Sequence, residues 1–285
     1  MTSPFFHGPN THGRDFVVGD IHGMLSLLTQ LLQDVRFDAS TDRLFSTGDL
    51  VDRGEDSRGA LMLLKEPWFF PVRGNHEDML LDYLVPTQNS RYRRGHDHAF
   101  FANGGEDWFY PEGVNPELVF LLQKMPFIRV VAPGTPYRFN VVHASFVKQA
   151  TKTGDIAVWT DAEIDAGIPD GPERFIEGYD ECGPPTMGFL WDRTLPYAAM
   201  RVRQALSVIG VELLSPTYCG HTPVNTPRCI GGHTFIDTGA FQEYDEDSGL
   251  TIVELNTPAS AIRRGTRPHF WTRGLVDLTP REGTL

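Results

Sequence analysis

The stretch Phe16-Val17-Val18-Gly19-Asp20-Ile21-His22-Gly23 decides the fold, because a short apolar run leads directly into a polar turn. Its first three residues predict a buried strand, and the leucines between positions 25 and 32 recur at the spacing of an amphipathic helix. The glycines beside Asp20 and His22 allow the backbone to turn tightly around a ligand. The stretch therefore predicts a strand, a turn that carries two ligand-type side chains, and a helix.

The same order occurs twice more in the first third of the chain. Residues 43–47 predict a second strand, which ends in Gly48-Asp49-Leu50-Val51-Asp52-Arg53-Gly54 and a helix near 56–65. Residues 68–72 predict a third strand, which ends in Gly74-Asn75-His76-Glu77 and a helix near 76–84. Such alternation predicts an α/β fold with parallel strands and covering helices. Because ligands bind beyond the carboxyl ends of such strands, we expect the three turns to converge on one site.

The second half of the chain has a less regular pattern. Predicted helices lie at 118–122 and 198–209, and predicted extended segments lie at 127–131, 137–142, 216–219, 234–236 and 250–255. Two of the extended segments are followed by histidines, in His143-Ala144 and in Gly220-His221-Thr222. Residues 150–186 predict an insertion, with nine acidic residues and one basic residue between Asp155 and Glu181. This insertion is interpreted either as a solvated surface excursion or as a rim over a substrate cleft.

Composition limits the classes of function. The 285 residues carry a formal net charge of -12, which argues against nucleic acid or an anionic membrane as a partner. No apolar run approaches the roughly 20 residues that span a bilayer, and the first residues do not resemble a signal peptide. The three cysteines lack a CxxC pair, which favours a reducing compartment. We therefore expect a cytoplasmic protein, in the host cytoplasm if the gene is phage-encoded.

The side chains in these turns predict a metal centre. Carboxylate, amide and imidazole ligands without thiolates suit hard or borderline divalent cations. Six candidate ligands are too many for one tetrahedral ion and fit two ions that share a bridging ligand. The predicted ligands of one ion are Asp20, His22 and Asp49, and those of the other are Asp49, Asn75, His143 and His221.

A pair of ions of this kind typically catalyses displacement at phosphorus. The predicted nucleophile is a hydroxide that bridges the ions and attacks phosphorus in line with the leaving oxygen. His76 is the candidate general acid, and Asp52 is predicted to hold it in one tautomer and to favour its protonated form. Arg53 and Arg73 are predicted to clamp phosphate oxygens, and the helix that starts near Asn75 directs its positive end at the same place.

These motifs resemble those of the phosphoprotein phosphatase family of metallophosphoesterases, above all its bacteriophage lambda type and bacterial members. The likeness covers roughly residues 15–255, and it also includes Pro67-Trp68-Phe69, Asn103-Gly104-Gly105, Leu190-Trp191-Asp192-Arg193, Gly220-His221-Thr222-Pro223 and Ile236-Asp237-Thr238-Gly239-Ala240. The resemblance implies a calcineurin-like fold, in which helices flank a central β-sandwich with the site at its edge. It also implies that Arg193 is a third phosphate-binding arginine.

The resemblance further implies two divalent cations, with Mn²⁺ as the usual activator and iron or zinc as alternatives. The implied substrate is a phosphorylated protein or peptide, or a small phosphoester. The implied activity is that of a serine/threonine or dual-specificity phosphatase. On this basis residues 15–262 are interpreted as the catalytic domain, preceded by a flexible arm at 1–14 and followed by a tail at 263–285.

A symmetrical diadenosine tetraphosphate hydrolase is the main alternative, because it shares most of these motifs. That group is associated with Asn-His-Asp in the third motif and with no aspartate before the arginine of the second. Glu77 after His76, and Asp52 before Arg53, favour the protein phosphatase. A nuclease of the superfamily usually carries Gly-His-x-His, whereas Pro223 occupies the last position here. A phosphate-binding module that has lost catalysis would lack a ligand or the acid, and the sequence lacks neither.

Overall fold

The computed structural model describes residues 4–86, 98–150, 155–168, 174–175, 182–183, 185–201, 207–242, 248–255, 269–273 and 281–283. The strands in these residues are Phe5–His7 (β1), Asp15–Val18 (β2), Arg43–Ser46 (β3), Phe69–Pro71 (β4), Ile128–Val131 (β5), Phe139–Val142 (β6), Val147–Ala150 (β7), Ile156–Val158 (β8), Arg174–Phe175 (β9), Cys182–Gly183 (β10), Val208–Ile209 (β11), Thr217–Cys219 (β12), Arg228–Ile230 (β13), His233–Phe235 (β14), Leu250–Leu255 (β15), His269–Arg273 (β16) and Arg281–Gly283 (β17).

The α-helices in the same residues are Leu25–Asp34 (α1), Ser57–Met62 (α2), Asn75–Leu84 (α3), Glu106–Phe109 (α4), Pro116–Lys124 (α5), Asp161–Asp165 (α6), Pro185–Trp191 (α7) and Thr194–Arg201 (α8). Short helical turns also lie at Leu63–Lys65, Phe101–Gly105 and Val211–Leu213, and the turn at Phe101–Gly105 is of the π type.

Two six-stranded sheets form the centre of the fold. One has the strand order β17-β16-β15-β2-β3-β4, and the other has the order β1-β5-β6-β12-β14-β13. In the first sheet β2, β3 and β4 pair in parallel, as the repeated strand–turn–helix pattern predicted. In the second sheet β6, β12 and β14 are parallel neighbours. The turns that follow these parallel strands are in direct contact across the two sheets, since Nε2 of His143 lies 2.8 Å from Oδ1 of Asn75.

The two sheets pack face to face over a shared apolar layer. This layer contains Val17, Phe45, Val72, Val131, Phe139, Val141, Tyr218, Ile236 and Val253. Phe16 and Val18, the neighbours of Val17 on β2, pack on the opposite face of their sheet. Because successive side chains of a strand point to opposite faces, β2 is buried on both sides, which explains its uninterrupted apolar run.

Helices cover the outer face of each sheet. The apolar faces of α1, α3 and α5 share one buried cluster with β2 and β3 of the first sheet. Residues of α6, α7 and α8 share another with β5 and β12 of the second sheet. The predicted central β-sandwich with flanking helices is therefore confirmed. Among the described helices, none combines the length and the apolar character that a membrane span requires.

Two short segments differ from their predictions. Phe5–His7 lies within the predicted flexible arm, but it pairs in parallel with β5. The pairing satisfies backbone groups at the edge of β5, and the His7 ring packs edge-on against Phe45 at 5.2 Å. Residues 208–209 lie within a predicted helix, but helix α8 ends at Arg201 and these residues pair in parallel with β8.

The acidic insertion and the C-terminal tail are described in part. Residues 155–168 of the insertion contain β8 and α6, and α6 begins with a capping box between Thr160 and Glu163. The remaining acidic residues of the insertion, at 169–173 and 176–181, lie outside the described residues. In the tail, β16 pairs with β15 over residues 269–273, and β17 pairs with β16. The tail thus extends the first sheet, whereas the sequence predicted no strand there.

Candidate active site and metal centre

The turns at the strand ends adopt an uncommon backbone conformation. His22, Asp49, Asp52, Arg53 and His221 have positive φ angles of 43°, 48°, 72°, 74° and 65°. Residues other than glycine rarely adopt this left-handed region, and it costs free energy unless the surroundings enforce it. Only two other non-glycine residues have positive φ in the part of the chain that the structure describes. The strained backbone is therefore concentrated in the turns that carry the predicted site.

Two glycines allow carboxylates to approach the backbone closely. A Cβ atom on Gly74 would lie 2.1 Å from Oδ1 of Asp49, and one on Gly220 would lie 1.7 Å from Oδ1 of Asp20. Both distances are far below van der Waals contact, so a side chain at either position would displace a carboxylate. These two glycines thus determine where the aspartates lie.

Asp49 lies at the centre of the site. Its Oδ2 atom is 3.4 Å from Nε2 of His143, 3.6 Å from Nε2 of His22 and 3.8 Å from Nε2 of His76. These distances are longer than ordinary hydrogen bonds, so the three imidazoles surround the carboxylate without donating to it. Burial raises the pKa of Asp49, but its interactions with the three imidazoles and the hydrogen bond from the backbone N–H of His76 outweigh burial and hold the pKa below its usual value. Asp49 is therefore ionised and faces several ring nitrogens at once.

Two of these histidines present a nitrogen lone pair to the site. Nδ1 of His22 donates to the carbonyl of Val51 at 2.9 Å, and Nδ1 of His143 donates to the carbonyl of Thr47 at 2.8 Å. Because a carbonyl only accepts, the proton lies on Nδ1 and the lone pair on Nε2. Burial lowers the pKa of both histidines, so their neutral form prevails. A neutral imidazole oriented through its other nitrogen is the form that binds metal ions.

Asn75 lies between two of the predicted ligands. Its Oδ1 atom is 2.8 Å from Nε2 of His143 and 3.0 Å from Nδ1 of His221. Since the proton of His143 is on Nδ1, two acceptors face each other at the shorter of these contacts. Such an arrangement is unfavourable on its own and is stabilised when both atoms bind the same cation. The donor set therefore fits a divalent cation at this position.

Asp20 adds a further buried carboxylate to the site. Its Oδ1 accepts from the Thr47 hydroxyl at 2.7 Å, and its Oδ2 accepts from the backbone N–H of His221 at 2.8 Å. Burial, with the neighbouring charges of Asp237 and Asp49, raises the pKa of Asp20 well above its usual value. Several carboxylates buried together are costly without compensating positive charge. The electrostatics of the site thus favour divalent cations as well.

The donor atoms form two overlapping groups. One consists of His22, Asp49 and His76, the other consists of Asp49, His143 and His221, and the atoms within each group lie within 4.8 Å of one another. Asp49 is common to both groups, which is the position that the sequence predicted for a bridging ligand. The first group contains His76 where the sequence predicted Asp20. The raised pKa of His76 favours the protonated ring, which has no lone pair for a cation, so we keep Asp20 as the candidate ligand.

His76 and Asp52 form a buried pair. Nδ1 of His76 lies 2.6 Å from Oδ2 of Asp52, and both side chains are almost completely inaccessible. Burial lowers the pKa of His76, but the charge of Asp49 and the hydrogen bond to Asp52 outweigh burial and raise it. The pair therefore has the contact that the sequence predicted for a general acid and the group that orients it. The indole N–H of Trp108 donates to the other oxygen of Asp52 at 2.6 Å, a contact that the sequence did not predict.

Glu77 joins two of the turns. One oxygen accepts from the N–H groups of Asp49 and Gly74, both at 2.9 Å, and the other accepts from the N–H of Leu50 at 2.7 Å. Burial and the charge of Asp49 raise the pKa of Glu77 to about 7. From the sequence, Glu77 is interpreted as a favourable residue in the first turn of a helix that could also support the neighbouring ligands. Its position two residues after Asn75 was the available signal for this second role.

Two of the three predicted arginines lie close to the site. Nη1 of Arg53 is 3.0 Å from Nε2 of His22, and its guanidinium lies 4.4 Å above the ring of Phe241. The positive charge of Arg193 contributes to the lowered pKa values of His143 and His221, so it acts on the second donor group. A cationic group thus lies near each of the two donor groups.

Arg73 is positioned differently from its prediction as a phosphate clamp. Its Nη2 donates to the carbonyl of Gln123 at 3.0 Å, and its Nη1 lies 3.5 Å from Oδ1 of Asp78. The guanidinium also lies 4.9 Å from the ring centre of Phe127. These contacts hold Arg73 at the carboxyl end of α5, because the last carbonyls of a helix attract a cation. Its side chain therefore ties α3 to α5.

A family model described as calcineurin-like phosphoesterase matches residues 16–163, slightly more than half of the chain. This match contains the turns that carry Asp20, Asp49, Asn75 and His143, and it ends before the turn that carries His221. The chain therefore belongs to the calcineurin-like phosphoesterases, the class that the two-sheet fold and the clustered donor atoms define. The metallophosphoesterase family predicted from the motifs is thus confirmed.

Individual relatives match smaller parts of the chain. The chain is 44% identical over 118 residues to serine/threonine-protein phosphatase 1 of Salmonella typhimurium, which is 40% of this chain and 50% of that protein. It is 39% identical over 167 residues to the symmetrical bis(5'-nucleosyl)-tetraphosphatase of Haemophilus ducreyi, which is 58% of this chain and 57% of that protein. The chain thus spans about half the length of the curated relatives it matches.

A solved structure matches almost the whole chain. It is a protein serine/threonine phosphatase from Saccharomyces cerevisiae with a TM-score of 0.55 and 14% sequence identity, and the match covers 98% of this chain and 86% of that chain. At this identity the likeness shows the fold alone. The resemblance to bacterial serine/threonine phosphatases rests on the closer sequence relatives and agrees with this fold.

Proposed function

We propose that this protein is a metal-dependent phosphomonoesterase that removes phosphate from phosphoserine and phosphothreonine in proteins. The observation that carries the proposal is the 2.6 Å contact between His76 and Asp52 beside the clustered metal ligands. A buried carboxylate that holds an imidazole in this way provides an oriented proton donor for a leaving oxygen. The arrangement supports hydrolysis of an ester that has a poor leaving group, such as an alkyl phosphate.

The proposed cofactor is a pair of divalent cations, and the motif resemblance favours Mn²⁺. Bound there, such ions would supply an activated water as nucleophile and would neutralise charge on the phosphoryl oxygens. The residues that would hold them are Asp20, His22 and Asp49 for one ion, and Asp49, Asn75, His143 and His221 for the other. The residues of the chain then have the tasks of binding the phosphate and delivering a proton.

His76 is the proposed proton donor. Its Nδ1 donates to Asp52, so the proton that is available for transfer lies on Nε2. The raised pKa of His76 favours the doubly protonated ring that this role requires. When the bond between phosphorus and the leaving oxygen breaks, this proton passes to that oxygen. The product alcohol then leaves without carrying a full negative charge.

Arg53 and Arg193 are the proposed phosphate-binding arginines. Arg53 is exposed, and it reaches the donor groups from the side of His22, while the charge of Arg193 acts on His143 and His221. Their planar guanidinium groups match pairs of phosphate oxygens. The amino end of α3, which begins at Asn75, adds a favourable dipole for an anion. For Arg73 we propose a structural role, the attachment of α3 to α5.

Hydrolysis of dinucleoside tetraphosphates is the second candidate, because a curated relative with that name is 39% identical over 167 residues. The pair of Asp52 and His76 favours the monoesterase, since a nucleotide is a better leaving group and depends less on an oriented acid. The test is a side-by-side assay of a phosphoserine peptide and diadenosine tetraphosphate with Mn²⁺. A larger kcat/KM for the peptide is expected. A larger value for the dinucleotide would establish the second candidate instead.

A further inference from the structure

We propose that Trp108 is a positioning residue for this reaction, because its indole N–H fixes the carboxylate that orients His76. The inference rests on the proposed function and extends it by a residue outside the metal-binding turns. The three side chains form a chain of contacts in which Nε1 of Trp108 donates to Oδ1 of Asp52, and Nδ1 of His76 donates to Oδ2. Both contacts are 2.6 Å long.

Each oxygen of Asp52 thus has a different donor. The side chain is completely buried, so no solvent is available to replace either donor. The backbone N–H of Asp52 donates to the hydroxyl of Ser57 at 2.8 Å, which fixes the main chain at the same residue. With one oxygen held by Trp108, the carboxylate plane has one orientation, and the second oxygen points at His76. Without the indole N–H, Oδ1 would be a buried acceptor that has lost its partner, and the carboxylate would be free to rotate.

Trp108 is itself held in place from several directions. Its ring meets that of Phe100 edge-on at 5.9 Å, and the guanidinium of Arg58 lies 5.9 Å from its ring centre. Nη2 of Arg58 also donates to the backbone carbonyl of Trp108 at 2.9 Å. The indole is therefore supported by the packing of α4 and by α2, which carries Arg58. A donor on a rigid support is what precise positioning of a catalytic group requires.

The segment before Trp108 is shaped to approach Asp52. Gly104 has a φ angle of 106° and a backbone so close to the second motif that an added Cβ would lie 3.1 Å from the N atom of Arg53. That Cβ would also lie 3.5 Å from Cβ of Asp52. Glycine at this position allows the π-helical turn at Phe101–Gly105 to pack on the second motif. The turn leads directly into α4, and α4 places Trp108 over the Asp52 carboxylate.

A positioning role has a signature that a purely structural role lacks. The general acid contributes most when the leaving oxygen is strongly basic, and little when the leaving group is already a stable anion. Loss of the Trp108 donor should therefore slow esters with poor leaving groups selectively. Since the indole N–H of Trp108 donates to Asp52, which is not a predicted metal ligand, metal binding and KM should remain unchanged.

The test uses W108F, which keeps an aromatic ring and removes the N–H, and W68F as the matched control. Trp68 packs edge-on against Phe37 at 5.2 Å, outside the site. With Mn²⁺-loaded protein, kcat for phenyl phosphate is expected to fall about tenfold in W108F, the usual size of one lost hydrogen bond to a charged group. The kcat for 4-nitrophenyl phosphate should change less than about twofold in W108F, and both esters should be unaffected in W68F.

A double-mutant cycle with D52N shows whether Trp108 acts through Asp52. Asparagine tolerates the φ angle of 72° at this position, so the backbone should be retained. In the D52N background, W108F should have no further effect on kcat for phenyl phosphate. Equal losses for the two esters in W108F, or a full additional loss in the double variant, would overturn the inference. A wild-type protein that hydrolyses neither these esters nor a phosphoserine peptide would refute the proposed function and this inference together, and that outcome is visible before any variant is compared.

Discussion

Glu77 accepts a hydrogen bond from the backbone N–H of Asp49 at 2.9 Å, and it thereby fastens the first turn of α3 to the turn that carries the central carboxylate. In return, the backbone N–H of His76 donates to Oδ1 of Asp49 at 3.0 Å. The two motifs are thus joined in both directions by hydrogen bonds between side chains and backbone. The position of Asp49 is set by α3 as much as by its own strand.

Glu77→Gln should destabilise the protein by about 2–4 kcal/mol. The two carboxylate oxygens of Glu77 accept from three buried N–H groups, whereas the amide of glutamine has one acceptor oxygen. Urea unfolding measures the change. Glu117→Gln is the matched control, since Glu117 is 65% exposed and pairs with Lys65 on the surface. A loss of about 0.5 kcal/mol or less is expected there. Equal destabilisation by the two substitutions would show that the Glu77 contacts contribute nothing of their own.

His76→Asn should lower turnover of an aryl phosphate by a factor of about 10²–10⁴, because the proton donor is lost. Its metal content should remain that of the wild type, as measured by elemental analysis after gel filtration. Asp20→Asn should instead reduce the metal content, because a charged ligand becomes neutral. The pair of variants decides between the two candidates for the first donor group. Loss of metal in His76→Asn with full retention in Asp20→Asn would reverse the assignment.

Arg53→Lys should reduce kcat/KM by about 10- to 100-fold, since a lysine cannot contact two phosphate oxygens with a planar fork. Arg73→Lys should leave kcat/KM within about threefold and act mainly on stability, because its contacts are to α5. Steady-state kinetics of both variants, with thermal unfolding alongside, measures the contrast. If Arg73→Lys proved as damaging to kcat/KM as Arg53→Lys, Arg73 would belong to the phosphate clamp after all.

The buried His233 makes stability depend on pH. Its Nδ1 donates to the carbonyl of Gly231 at 2.8 Å, and its Nε2 accepts from the N–H of Phe146 at 2.9 Å, so the contact with Phe146 requires the neutral ring. Burial lowers the pKa of His233 to about 4, whereas the unfolded chain has the ordinary value of about 6.5. As the pH falls from 6.5 to 4, the unfolded state therefore binds a proton that the folded state does not. The free energy of unfolding is complete above pH 6.5 and declines by about 3 kcal/mol across this window.

His233→Gln should remove this part of the pH dependence. The measurement is the free energy of unfolding in urea at several pH values between 4 and 7, with a chelator in every sample. His12→Gln, at an exposed position, is the control and should keep the wild-type slope. A slope that is unchanged in His233→Gln would mean that other groups account for the loss of stability in acid.

Much of the fold followed from the sequence, because the parallel strands are buried on both faces and appear as short apolar runs. β2 and its turn are the clearest example, since Asp20 and His22 occupy the strand end that the sequence indicated. β1 was missed because its three residues lie in a polar, proline-containing segment whose partner, β5, is more than 100 residues away. β16 was missed because pairing with β15 is a long-range choice that local periodicity does not reveal.

The sequence predicted some contacts of the site and did not predict others. The contact of Asp52 with His76 was expected, because the two residues occupy motifs at neighbouring strand ends. Trp108 reaches Asp52 across 56 positions of sequence, and no spacing rule connects the two residues. Arg73 was assigned to the phosphate from its nearness to Asn75 in sequence, but the carbonyls at the end of α5 attract its guanidinium. Contacts that depend on tertiary packing were therefore the ones that sequence alone could not supply.

A titration of metal-free protein with Mn²⁺, during which hydrolysis of a phosphoserine peptide is followed, shows whether this phosphomonoesterase works with two cations that share Asp49. Turnover should rise until two ions are bound per chain. D49N should bind fewer ions and lose turnover. Full turnover with one ion bound per chain, or no turnover with two bound, would rule out the shared two-ion centre.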